Sequence, residues 1–182
     1  MRNGRGVAMW LLVFPLLVLP ATLIGQSTPT AKAVLVTGAS SGIGRKITER
    51  LASQGFFVYA GARAQKDLDE LNAIKNVQGV RLDVTVPADI AAAVAIVNKG
   101  GRGLYGVVNN AGVVVVAPMI EVEEKELDFI FGVNMYGPYR ITKAFAPMLL
   151  ESKGRVINIS SLNGIVASPA FWSARRRPDA AQ

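Results

Sequence analysis

Short apolar runs of strand type alternate along the chain with stretches whose apolar residues recur at helical spacing. Ala33 to Val36 reads as a first strand, and Ile43, Ile47 and Leu51 then fall on one helical face, with Gly55 supplying the C-terminal stop. Phe56 to Ala60 reads as a second strand, Lys66 to Ile74 as a short helix and Gly79 to Leu82 as a third strand. Pro87 sits where a first helical turn tolerates it and opens a helix through Val97. Leu104 to Val108 follows as a fourth strand, Glu121 to Phe131 and Val133 to Leu150 as two helices, and Arg155 to Ile159 as a fifth strand. Strand and helix alternating without long gaps predict a parallel sheet of α/β type. No internal repeat is present.

Ahead of this pattern, Val7 to Gly25 is an uncharged apolar stretch preceded by Arg2 and Arg5. It approaches the roughly 20 residues that span a bilayer. Its basic start also fits a secretory signal, but no small-x-small cleavage site follows, which favours an uncleaved membrane anchor over export of a cleaved chain. Pro15 and Pro20 work against a straight helix there, and Lys32, Arg45 and Lys46 beyond the segment balance Arg2 and Arg5, leaving the membrane side open. The expected organisation is an apolar N-terminal helix over 1–25, a polar linker over 26–31, one domain over 32–171 and a basic tail over 172–182. With 182 residues, 51% of them hydrophobic, there is material for one core but not for two domains.

Composition narrows the chemistry. The chain has no Cys and no His, which removes disulfides, thiolate nucleophiles, His-based triads and the usual transition-metal ligands, so no metal site is expected. A net charge of +7 would suit nucleic acid, but apart from Arg175, Arg176 and Arg177 the basic residues are scattered and are not interleaved with aromatics, so no nucleic-acid partner is expected.

Between the first strand and first helix lies Thr37-Gly38-Ala39-Ser40-Ser41-Gly42-Ile43-Gly44. Glycines at such a strand-to-helix turn have a mechanical purpose: Gly38 for the tight turn, Gly42 for backbone approach to a pyrophosphate and Gly44 for close packing, with the helix N-terminus offering unpaired N–H groups and a positive dipole end. Ser40 and Ser41 add hydroxyls or a cap. The Gly-x3-Gly-x-Gly spacing resembles the short-chain dehydrogenase/reductase family. Leu82-Asp83-Val84, Asn109-Asn110-Ala111-Gly112 and Asn158-Ile159-Ser160-Ser161, each at the end of an expected strand, extend the resemblance from about Lys32 to about Phe171.

The resemblance implies a doubly wound, Rossmann-type parallel sheet that handles a nicotinamide dinucleotide. By position, Gly38, Ser40, Ser41, Gly42, Ile43 and Gly44 would hold the pyrophosphate, and Asp83 would meet the adenine amino group with Val84 beside it. Asn110, Ala111 and Gly112 would line a ribose, the alternative being that Asn109 or Asn110 ties the sheet together. Where members that prefer NAD usually carry an acidic residue, this chain has Ala62-Arg63, so NADP is the expected cofactor, with Arg45 a candidate to assist Arg63 and NAD left open.

The same resemblance implies a catalytic set of Asn, Ser, Tyr and Lys. Asn134 and Ser161 match the first two. The Tyr and Lys would fall near positions 174 and 178, where the chain has Ala174 and Pro178. A Lys cation beside a Tyr lowers the phenol's pKa so that it can exchange a proton as hydride moves, and without that pair the alkoxide formed from a carbonyl has no positioned acid. Tyr139 and Lys143 share a helix face, but they precede the Ser strand on a helix that in the family packs on the sheet and often forms a dimer interface. The expectation is therefore a C-terminally truncated member, ending after the fifth strand and leaving it an exposed edge. By family it is an oxidoreductase interconverting an alcohol and a carbonyl of small-molecule size. As written it is expected to be inactive, the alternative being a non-catalytic NADP-binding or homodimerising module.

Overall fold

A computed structural model describes residues 31–115 and 121–161. The apolar segment 7–25, most of the linker, the tail and positions 174 and 178 lie outside the described residues. Within them the chain alternates as expected: β1 (Ala33–Val36), α1 (Gly42–Ser53), β2 (Phe57–Ala62), α2 (Gln65–Asn72), β3 (Val77–Arg81), α3 (Pro87–Lys99), β4 (Gly106–Asn109), α4 (Glu124–Asn134), α5 (Tyr136–Glu151) and β5 (Arg155–Asn158). Among these residues no helix is long and apolar enough to cross a membrane.

The five strands form one sheet in the order β3-β2-β1-β4-β5, every pair parallel. This is the order of a doubly wound α/β sheet, whose chain reverses direction of travel at β1 and opens a crevice between β1 and β4. Burial explains why β1 shows no polar alternation. Ala33 and Leu35 pack beneath α3 and α5 with Tyr59, Val97, Leu104, Val107, Ile141 and Phe145, while Val34 and Val36 enter the opposite core with Val58, Ala60 and Leu71. A parallel strand covered on both faces must be apolar throughout.

Element boundaries move where pairing, not local pattern, decides. β2 runs on to Ala62, past the expected end at Ala60, because Gly61 and Ala62 pair with Val80 and Arg81. β3 begins at Val77 instead of Gly79, with Val77 in register with Val58. β4 starts at Gly106, two residues after the expected Leu104. α4 starts at Glu124 because a capping box joins Glu123 and Glu126, each side chain bonded to the other's backbone N–H. The break between α4 and α5 falls at Met135. β5 is the edge strand of the described sheet and is exposed along its length.

Candidate functional site

The strand-to-helix turn after β1 is built from contacts that only glycine permits. Gly38 adopts φ +64°, and a Cβ there would lie 2.8 Å from the Ala111 Cα; Gly42 adopts φ +55° with open space where a side chain would stand. A Cβ on Gly44 would strike the Gly38 carbonyl and the Asn110 amide, so glycine here lets the first turn of α1 pack against the ends of β1 and β4.

Two side chains hold this turn against the end of β4. The Asn110 Nδ2 donates to the carbonyls of Thr37 and Gly38, both at 3.0 Å. The buried Thr37 hydroxyl oxygen accepts from the backbone N–H groups of Asn110 and Ala111, again at 3.0 Å each. Asn110 therefore faces the cleft while its amide is committed to the protein. Asn109 ties the sheet: its Nδ2 donates to Asn158 Oδ1 on β5 at 2.8 Å and to Thr142 Oγ1 on α5 at 3.2 Å. The motif by itself gives Thr37 no role, since nothing local marks a Thr whose partners lie more than seventy residues away.

Around the turn opens a cleft of about 540 Å³ at the C-terminal ends of β1, β2, β3 and β4. It gathers Gly38, Ser40, Ser41, Gly42 and Ile43 from the turn, Arg63 after β2, Asp83 and Val84 after β3, and Asn110, Ala111 and Gly112 after β4. Gly44 lies beneath, packed as described. Ser41 is the N-cap residue of α1, but its hydroxyl makes no capping hydrogen bond, so of the two roles expected for it the cap is not used. The α1 N–H groups and the positive end of the helix dipole adjoin this cleft.

Charge is arranged around the far end of the cleft. The Arg63 guanidinium stands 3.9 Å from Asp83 Oδ2 with its side chain 70% exposed, and Arg81 Nη1 donates to the Arg63 carbonyl at 3.1 Å. Burial pushes the Asp83 carboxyl up, but hydrogen bonds from the Thr85 hydroxyl and backbone N–H, with the Arg63 and Arg81 cations nearby, outweigh it and hold the group below its usual range. Asp89 fixes the loop by accepting from the Asp83 N–H at 3.0 Å. Arg45, expected in this region, is held instead by Glu49 at 3.0 Å and Glu70 at 3.6 Å.

Asn134 ends α4 and grips Val113 reciprocally, donating to its carbonyl at 2.8 Å and accepting from its N–H at 2.9 Å. This places it beside Gly112, at the β4 wall of the cleft. Ser161 follows β5, which is hydrogen-bonded alongside β4 through Ile159 N–H and the Asn109 carbonyl at 2.9 Å. Tyr139 and Lys143 meet at 3.4 Å on the exposed side of α5, outside the residues lining the cleft. Among the described residues no cluster of His, Cys, Asp and Glu is arranged to hold a metal ion.

The cleft fits a dinucleotide on its own geometry. It offers a glycine turn that a Cβ at Gly38 or Gly44 would disrupt, open space where a Gly42 side chain would stand, a helix N-terminus suited to an anion and an exposed guanidinium at its far end. A family model described as short chain dehydrogenase matches residues 32–173. The mitochondrial D-beta-hydroxybutyrate dehydrogenase of Rattus norvegicus is 36% identical over 151 residues, covering 78% of this chain and 44% of the relative. The uncharacterized oxidoreductase YbbO of Escherichia coli (strain K12) is 34% identical over 151 residues, covering 82% of this chain and 56% of the relative. Among solved structures, a short-chain dehydrogenase from Streptomyces avermitilis superposes with a TM-score of 0.71 at 35% identity, over 79% of this chain and 55% of that one. A closed form of serine dehydrogenase complexed with NADP+ gives a TM-score of 0.70 at 32% identity, over 75% of this chain and 56% of that one. The chain spans about half the length of the curated relatives it matches.

Proposed function

The chain belongs to the short chain dehydrogenase family, and from that premise we propose that it is the nucleotide-binding part of an NADP-dependent oxidoreductase acting between an alcohol and a carbonyl. In the sequence given, it binds the cofactor without carrying the reaction. The observation that carries this reading is the cleft between β1 and β4, where the glycine turn, the α1 N-terminus and Arg63 converge on one dinucleotide-sized space. Arg63 favours NADP: with no carboxylate at the end of β2, its exposed guanidinium is placed to pair with a 2′-phosphate in exchange for its looser contact with Asp83.

When bound, the nicotinamide supplies the hydride. The protein's part is to hold the diphosphate on the Gly38–Gly42 backbone, to seat the adenosine between Arg63 and Asp83, and to fix the β4 wall through Asn134. Ser161, by its match to the family's serine after the fifth strand, is the side chain assigned to hydrogen-bond a substrate oxygen. Proton transfer to that oxygen is what Ala174 and Pro178 do not provide, and a positioned acid contributes about 10²–10⁴-fold to such a step. The apolar segment 7–25 tethers the domain to a membrane.

Titrating the full chain with NADPH and NADH by nucleotide fluorescence, then assaying a panel of aldehydes and ketones, tests the reading. Tighter binding of NADPH with no turnover is expected. Tighter binding of NADH would overturn the NADP assignment, turnover would overturn catalytic silence, and binding of neither would overturn the whole reading.

A further inference from the structure

A parallel sheet gathers all its strand N-termini at one edge, opposite the cofactor cleft, and in this protein that edge is strongly cationic. Backbone hydrogen bonds fix its order. Val58 N–H donates to the Asn76 carbonyl at 2.8 Å, Phe57 to Lys32 at 3.1 Å, Tyr105 to Ala33 at 2.8 Å and Arg155 to Tyr105 at 2.9 Å. Lys32, Lys75, Arg102, Lys153 and Arg155 stand exposed in the turns and strand starts of this row. Lys32 Nζ lies 4.0 Å from the Tyr105 ring centroid and Arg102 Cζ lies 4.3 Å from that of Phe57, so the row has aromatic surface beneath its charge. Among the described residues none of the five is in an ion pair; the paired cations, Arg45, Lys46, Arg63, Arg81 and Lys125, are elsewhere.

Helix C-termini share this edge and attract cations, but the effect is confined to the last turn. It accounts for Arg50 at the end of α1, Lys99 at the end of α3 and Lys153 just past the α5 C-cap, and not for Lys32, Lys75, Arg102 or Arg155. The carboxylates at the helix ends of this edge are Glu151 at the end of α5 and Asp69 and Glu70 in the last turn of α2, the second already accepting from Gln65 and the third paired with Arg45.

We infer that this edge is the face the protein lays against an anionic phospholipid bilayer, its Lys and Arg side chains meeting headgroup phosphates and carboxylates. The occupant is argued from charge complementarity and from chain continuity. Lys32 begins the row, and only residues 26–31 separate it from the apolar segment ending at Gly25. Six extended residues reach at most about 20 Å, so an anchored segment keeps this edge within that distance of the headgroups, and the charge of the row turns it toward them. The cofactor cleft, at the far end of the strands, then faces water. The inference rests on the membrane-anchor reading for its geometry, but not for its charge.

Flotation of the full chain with vesicles of phosphatidylcholine alone, and with about 30% phosphatidylserine added, separates the two, since only the second carries the surface charge that attracts Lys and Arg. Wild type is expected to partition more strongly onto the phosphatidylserine vesicles. The triple variant Lys75→Glu, Arg102→Glu, Lys153→Glu is expected to lose that preference by about fivefold or more per residue, while keeping its affinity for phosphatidylcholine and its far-UV melting curve. Raising salt on the wild type provides the same test without mutation, because it screens the added attraction and leaves apolar insertion intact. Equal partition onto both vesicles, or an unchanged triple variant, overturns the inference. So does tighter binding to single-stranded RNA than to phosphatidylserine vesicles at equal phosphate. Loss of phosphatidylcholine binding with the phosphatidylserine preference intact overturns the anchor reading alone and leaves the cationic face standing.

Discussion

The Thr37 hydroxyl oxygen accepts from two backbone N–H groups of the β4 end while Asn110 returns two hydrogen bonds to the turn, so the glycine turn is fastened from both sides. Thr37→Val keeps the shape and removes the acceptor. It is expected to cost about 2–4 kcal/mol by orphaning two N–H groups, and to weaken NADPH, whereas Thr37→Ser restores both; urea unfolding and nucleotide titration read the two effects. Arg63→Ala is expected to weaken NADPH about 10- to 100-fold, the worth of a charge-assisted contact to phosphate, and to change NADH little. Comparable losses for both nucleotides would show that Arg63 only shapes the loop. Asp83 sets a pH dependence. Its folded pKa lies below the ordinary value of 3.8, so the stability it contributes is full above that value and is lost as pH falls through the lower folded value. Asp83→Asn should therefore be less stable than wild type from neutral pH down to about 5, with the gap closing in stronger acid. A gap that stays constant to the lowest pH would mean that the carboxylate charge is not what stabilises this loop.

At the scale of elements, the sequence is legible where one segment carries its own signal and silent where two distant segments share one. The five strands, five helices and their parallel alternation were readable because each apolar run is short and punctuated, and the glycine turn because strand, glycines and helix are contiguous. The ends of β2 and β3 were not, because Gly61 looks like a breaker until β3 pairs with it. The same distinction separates the residues of the cleft. Most of those facing it are marked by motif, whereas Gly61, Val113 and Val133 in its lining, the Thr37 contacts, the grip of Asn134 on Val113 and the capture of Arg45 by Glu49 and Glu70 depend on what folding brings alongside. Asn109 shows how such a contact organises an element. Its side chain joins β4 to both β5 and α5 by hydrogen bonds, so Asn109→Ala is expected to lower stability by about 1–2 kcal/mol. Amide exchange should accelerate at Val156, Ile157 and Asn158 well before the central strands are affected. Uniform acceleration across the sheet would instead indicate a global loss with no special role at β5.

For the whole molecule, the described sheet is covered on both faces at its centre and open along β5. Val156 is 40% exposed and Ile157 53%, and on the neighbouring α5 Tyr139 is 59% and Leu150 79% exposed. Parallel strands in proteins of this architecture are buried on both faces, so an apolar parallel edge in water is a template for association. The chain is expected to self-associate at micromolar concentration, and Ile157→Lys to reduce that association by placing a charge on the edge. Static light scattering over a concentration series would measure both. Salt distinguishes this contact from attraction to an anionic surface. Self-association brings together copies that each carry a net charge of +7, so screening that repulsion should strengthen it, whereas screening weakens the pull of the cationic edge toward phosphatidylserine. Opposite responses of the two equilibria to the same salt step would assign one to the apolar edge at β5 and the other to the cationic row beneath the strands. Self-association that weakens with salt would instead place it on charged surfaces, and Ile157→Lys would then leave it unchanged.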